Sequence, residues 1–166
     1  PLVDYKNITV EGNAIHFEKD GMGLDLGAIA KGYIADKIKE FLVSEGVKSG
    51  IINLGGNVLC IGSQPDGTPF KIGIQKPFDE TGESITSVKI KDKSIVTTGI
   101  YQRYFEQDGT LYHHVLDPRT GMPCNTDLYS VSIITDSSLT ADAMSTVCCL
   151  MGYQESVSYT HLRAHE

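Results

Sequence analysis

Apolar and polar positions alternate with a period of two along much of this chain and change to helical spacing in two stretches. Ile8 to Phe17 reads as a short hairpin turning at Glu11-Gly12-Asn13. Leu24-Asp25-Leu26-Gly27 leads into a helix from about Ala28 to Glu45, with Ile34, Ile38, Phe41 and Leu42 at helical spacing and Gly46 as its C-cap. Ile51 to Leu54 and Val58 to Ile61 read as strands joined through Gly55-Gly56-Asn57. Phe70 to Gln75 and Ser87 to Ile90 are further strands, separated by a polar loop around Pro77-Phe78-Asp79. Ile95 to Gly99 is a strand that ends at a glycine, and Tyr101 to Tyr112 folds as a hairpin at Asp108-Gly109. Tyr129 to Thr135 alternates as a half-buried strand. A second helix follows from near Thr140 to about Gly152, with Val147, Leu150 and Met151 on its core face. The pattern predicts a mixed α+β fold with mostly antiparallel strands and two main helices.

Composition narrows the class. The 166 residues are enough for one domain with a real core, and 40% hydrophobic with 21% charged residues fits a globular chain. No apolar run is long enough for a membrane helix. A net charge of -7 argues against a nucleic-acid partner and means that a bound phosphate would need local positive charge, from a cation or from helix ends. Cys60, Cys124, Cys148 and Cys149 lack zinc-type spacing and read as buried free thiols.

Three segments carry candidate chemistry. In the second helix Asp142, Ser145 and Thr146 stand at i, i+3 and i+4, so their oxygens share one face near the positive helix end. One carboxylate with hydroxyl and carbonyl oxygens suits a hard cation such as magnesium. Taken alone, the same three residues would more often only cap and solvate a helix. In Asp25-Leu26-Gly27-Ala28-Ile29-Ala30-Lys31-Gly32, Gly27 allows close backbone approach, Gly32 allows tight helix packing, and Lys31 can reach a phosphate or a flavin carbonyl. Asp25 can accept from a ring or ribose group. This is neither a P-loop nor a dinucleotide fingerprint, and a plain strand-to-helix turn is the other reading. His114, ahead of the turn Asp117-Pro118-Arg119-Thr120-Gly121, is a candidate base because imidazole titrates near neutrality. The turn reads equally as structural, with Arg119 pairing Asp117. Thr97-Thr98-Gly99 and Asn53-Leu54-Gly55-Gly56-Asn57 are glycine-punctuated strand ends of the kind that line clefts.

The combined wording is more specific than any one segment. LDLGAIAKGYIADKI, GIINLGGNV, IQKP, IVTTGIYQRYF, DGTLYHHVLDPRTGMP, LYSVSII and LTADAMSTVCCLMG occur in this order over about residues 24 to 152, and the chain resembles the ApbE family of FAD:protein FMN transferases. The resemblance implies that Asp25 and Lys31 contact FAD, with Leu116 contacting it through its backbone. It implies a magnesium ion held by the Ala28 carbonyl, Asp142 and Thr146, with Ser145 between them able to contribute. It implies that His114 takes part in catalysis. Thr98 and Gly99, at a glycine-punctuated strand end, are expected to bind the flavin cofactor. The expected reaction moves FMN from FAD to a threonine hydroxyl of a partner flavoprotein and releases AMP. FAD hydrolysis to FMN and AMP, or flavin binding without catalysis, are the alternatives.

The resemblance also sets expectations at the ends. The family has a large N-terminal part that contributes FAD contacts, so the chain reads as a fragment of a longer protein, with residues 1–155 an incomplete flavin transferase domain. The family setting is extracytoplasmic, in the periplasm or at the cell surface, often through a lipid anchor lying outside this sequence. Residues 156–166 depart from the family wording and resemble translated sequencing-adapter DNA. They are expected to be exposed and loosely attached, with no role for His161 or His165.

Overall fold

The computed structural model describes residues 2–79 and 82–163, with side chains through Thr160. A 3-10 turn at Tyr5–Asn7 precedes the hairpin β1 (Ile8–Glu11) and β2 (Ala14–Phe17). The first long helix is α1 (Ala30–Ser44). Next come β3 (Ser49–Asn53), β4 (Asn57–Gly62), β5 (Phe70–Gln75), β6 (Ser84–Ile90) and β7 (Ser94–Gly99). The hairpin β8 (Tyr104–Gln107) and β9 (Thr110–His113), the strand β10 (Ser130–Thr135) and the helices α2 (Ser138–Met151) and α3 (Tyr153–Arg163) complete the order. The central sheet is antiparallel, in the order β10-β7-β4-β3, and β5-β6 and β8-β9 form separate two-stranded ribbons. The mixed α+β class with antiparallel strands agrees with the sequence pattern.

The pleat of the sheet divides the core in two. In β4, Leu59 and Ile61 pack with Ala35 and Ile52, while Cys60 faces the other way onto Ile90 and Ile95. The first layer is closed by Ile38 and Leu42 of α1, and the second by Phe70, Ile72, Ile74 and Val88 of the β5-β6 ribbon. Alternation of successive side chains produces this separation. Burying a side chain such as Leu59 stabilises the fold by about 2 kcal/mol. A third cluster, Ile100, Val115, Cys124 and Cys149, packs the segment after β9 against α2.

The same alternation aims β7 at the helices. Val96 is buried among the fully enclosed side chains, and Ser94 and Thr98, two residues either side of it, both hydrogen-bond residues of α2. Ile95 and Thr97 point to the opposite face, where Ile95 joins the ribbon core.

Three expectations need correction. Ile34 and Phe41 are exposed, because α1 buries a different stripe: Gly32 and Ala35 are fully enclosed, with Ile38 and Leu42 beside them. Val147 is exposed as well, and Cys148, Cys149 and Leu150 make the core contacts of α2 instead. Among the described residues a third helix follows the two main ones. Gly152, at φ 77°, ends α2, and the chain restarts as α3 over residues expected to be a loose tail. Asp127 Oδ1 accepts the Tyr153 N–H at 2.9 Å, and Ser156 is buried. His161 lies within α3 with its side chain outside the described residues, as His165 does entirely.

Candidate functional site

The site is built where α1 crosses α2. Gly32 lies in the first turn of α1, where backbone N–H groups have no partner within the helix. That N–H donates to Asp142 Oδ2 at 2.8 Å. This close crossing requires glycine: a Cβ at Gly32 would run into the Ser138 carbonyl and lie 2.7 Å from Leu139 Cα and 2.8 Å from Asp142 Cβ. Asp142 is therefore fixed against the first turn of α1, which begins two residues after Ala28.

Burial defines the electrostatics. Asp142 is only 4% exposed, and that desolvation pushes its carboxyl above the usual range, against the Gly32 N–H and the charge of Lys31. Among the described residues no ion pair reaches it. Beside it, Ser145 Oγ donates to the Asp142 carbonyl at 2.9 Å and lies 2.7 Å from Thr98 Oγ1. Thr146 Oγ1 is 3.3 Å from the same Thr98 oxygen and 3.4 Å from the Asp142 carbonyl. Ser145 is thus tightly engaged and fully buried, whereas the Thr146 hydroxyl has only long contacts and remains available to a ligand.

These donors fit a hard cation. A buried carboxylate without an ion-pair partner and a loosely held hydroxyl are oxygen donors of the kind such an ion takes. Among the described residues no group of three or more His, Cys, Asp and Glu side chains gathers, so any cation here would rely on one carboxylate and neutral oxygens. Such a set leaves room for water and phosphate oxygens.

The other predicted residues occupy the rim. Lys31 Nζ donates to the Gly55 carbonyl at 3.1 Å, which joins the start of α1 to the Gly55-Gly56 turn between β3 and β4. Asp25 is exposed and folds onto its own loop, with Oδ1 accepting the Gly27 N–H at 2.6 Å. Thr98, assigned to flavin binding, directs its hydroxyl at Ser145 and Thr146 and so supports the helix face. Gly99 is buried, and a Cβ there would meet the Tyr101 ring, at 2.8 Å from Cζ.

His114 and Leu116 belong to a second centre. They line a cleft of about 560 Å³ with Arg103, Tyr104, Phe105 and Met122. The His114 N–H donates to the Arg103 carbonyl at 3.2 Å, and the ring Nδ1 lies 3.4 Å from the same oxygen. Leu116 pairs with Pro123 in an isolated bridge. Arg119 pairs with Asp117 at 2.8 Å, so the turn after His114 holds itself by the expected ion pair. Thr98, on the helix face of β7, and Arg103, under His114, are five residues apart, so their Cα atoms lie within about 18 Å.

Sequence reasoning missed several parts of this arrangement. The stacked Phe105–Tyr112 pair, with ring centroids 5.0 Å apart, flanks the cleft, and its only signal was the alternation of the hairpin. His113 is buried, and desolvation pushes its imidazole below the ordinary value of 6.5. Asp36 and the buried Ser94, Asn57 and Ser138 hold the start of α2, and nothing in their spacing announces it.

A family model described as the ApbE family matches residues 1–165. The FAD:protein FMN transferase of Klebsiella pneumoniae is 44% identical over 142 residues, which are 86% of this chain and 43% of that protein. The enzyme of the same name from Treponema pallidum is 40% identical over 152 residues, 87% of this chain and 42% of that one. Among solved structures, the ApbE protein of Thermotoga maritima superposes with a TM-score of 0.81 at 36% identity, over 89% of this chain and 48% of its own. The flavin transferase ApbE of Vibrio cholerae gives 0.80 at 32%, over 93% and 49%. The chain spans less than half the length of the curated relatives it matches. Matched across nearly all of its residues and superposing on solved members, the chain belongs to the ApbE family.

Proposed function

We propose that this chain supplies the metal- and phosphate-handling part of an enzyme that moves FMN from FAD to a threonine hydroxyl of a partner flavoprotein and releases AMP. The observation that carries the proposal is the buried Asp142 carboxylate held on the Gly32 N–H, one helical turn before the Thr146 hydroxyl. The names of the relatives support the same reaction class.

Magnesium, when bound, would offset negative charge at the FAD pyrophosphate. Asp142, Thr146 and the Ala28 carbonyl would hold it, and Ser145 would brace them through Thr98. Lys31, held by one bond to Gly55, has two further N–H groups for a phosphate oxygen. In the transfer, the threonine Oγ bonds to the flavin-side phosphorus while the bond from that phosphorus to the bridging oxygen breaks. The electron pair leaves with AMP. The threonine proton goes to His114. With Nδ1–H directed at the Arg103 carbonyl, Nε2 carries the lone pair that accepts it.

The test uses the intact protein and mass spectrometry of a threonine-bearing acceptor. His114→Ala should lower FMN transfer by about 10²–10⁴-fold, the usual contribution of a positioned base. FAD affinity should change little. Transfer at the parental rate would overturn the role of His114. Release of FMN and AMP with no acceptor adduct, in the parental protein, would favour hydrolysis over transfer.

A further inference from the structure

Asp36 lies one helical turn beyond Gly32 on α1, and its carboxylate accepts three hydrogen bonds from the start of α2. Oδ1 accepts the Ser138 N–H at 2.8 Å; Oδ2 accepts the Leu139 N–H at 3.0 Å and the Ser137 hydroxyl at 3.0 Å. Ser137 is itself the N-cap, its Oγ accepting the Thr140 N–H at 3.2 Å. A carboxylate at this helix end satisfies donors that lack an internal partner and complements the positive end of the dipole.

The position of these bonds matters more than their number. Gly32 meets Asp142, and Asp36 meets Ser138. One turn forward along α1 corresponds to one turn back along α2, so the helices run antiparallel here and are joined by two rungs about 5.4 Å apart. A single rung would let α2 rotate or slide about the contact. Two rungs fix both movements. The inner side of α2 is held in the same way, where Ser138 Oγ donates to Asn57 Oδ1 at 2.8 Å and Ser94 Oγ donates to Ser138 Oγ at 3.0 Å, all three residues being fully buried. Asp142 and Thr146 stand one and two turns further along the helix so clamped.

We propose that Asp36 is a positioning residue for the site: by capping α2 from α1 it sets the rotation and axial position of that helix, and so keeps Asp142 on the Gly32 N–H with the Thr146 hydroxyl beside it. Asp36 touches no reacting group in this scheme. The inference rests on the proposed metal site, and its test separates the two.

In the intact protein, Mn²⁺ binding is titrated calorimetrically for the parental protein, Asp142→Ala, Asp36→Ala and Asp36→Asn. Exchange of the Gly32 amide is followed by NMR without metal. Outer-shell residues that orient ligands typically account for 10–100-fold in metal affinity, so Asp36→Ala should weaken Mn²⁺ binding about tenfold and speed exchange at Gly32. Asp36→Asn keeps the size of the side chain but turns an amide against N–H donors. It should reproduce the effect and serves where the alanine variant fails to fold. Parental affinity and parental Gly32 protection in either folded variant would overturn the positioning role. Parental Mn²⁺ binding in Asp142→Ala would overturn the metal site itself, while the Gly32 exchange would still decide whether Asp36 holds α2.

Discussion

The Gly32 N–H donates to Asp142 Oδ2 at 2.8 Å, across 110 positions of sequence, and so satisfies a first-turn donor that the helix itself leaves unpaired. This contact ties the first turn of α1 to the oxygen-bearing face of α2. It also makes Gly32 irreplaceable on steric grounds, because an added Cβ collides with the backbone of Ser138 and Leu139. Gly32→Ala should therefore destabilise the protein by about 1–3 kcal/mol, the usual cost of overpacking, and more if the helices separate. Urea denaturation measures it, and an unchanged midpoint would contradict the close crossing.

Thr98 connects the sheet to the site. Thr98→Val keeps the shape and removes the hydroxyl that meets Ser145 at 2.7 Å and Thr146 at 3.3 Å. Leaving the buried Ser145 hydroxyl short of one partner should cost about 1–2 kcal/mol, read as a shift in thermal midpoint. If Thr98 instead contacted only a ligand, stability without ligand would be unchanged.

His113 should make stability depend on pH. Burial, with the neighbouring His114 charge, pushes its folded pKa below the ordinary 6.5, against a backbone hydrogen bond at Cys124. The unfolded chain then binds the proton more readily than the folded one. Its contribution is fully present above about pH 6.5 and is lost as pH falls through the folded value. Denaturation midpoints measured from neutral to mildly acid pH should fall more steeply for the parental protein than for His113→Gln. Equal slopes would show that His113 protonates as easily in the fold as outside it.

Asp127 caps α3 from a distance, accepting the Tyr153 N–H. Asp127→Ala should cost about 0.5–2 kcal/mol, as lost helix caps do. Faster amide exchange confined to α3 would be the accompanying sign. Unchanged exchange at Tyr153 would remove the cap from the account.

The strands were legible because their apolar alternation is local, and the Asp108-Gly109 turn declared its hairpin outright. The register of Asp142, Ser145 and Thr146 was legible for the same reason: helical spacing decides it. The lone Asp127 cap was not, since residues 127 and 153 are brought together only by the fold, and the polar run after Gly152 carries no apolar stripe of its own. The buried stripe of α1 is not legible from side-chain size, because its large apolar residues Ile34 and Phe41 are exposed. In the structure the contact falls on Gly32 and Ala35, whose small size lets α1 approach its neighbours. Asp36 stayed invisible because a carboxylate inside a helix looks like a solvated one until α2 arrives above it.

The central claim is that Asp142 anchors a metal site on which flavin transfer depends. The most direct measurement is FMN transfer from FAD to a threonine-bearing acceptor, followed by mass spectrometry in the intact protein with and without added magnesium, for the parental protein and Asp142→Ala. The account predicts transfer that requires magnesium in the parental protein and is abolished in Asp142→Ala at every magnesium concentration, with FAD hydrolysis lost alongside it. Parental transfer rates in Asp142→Ala, or transfer indifferent to magnesium, would contradict it.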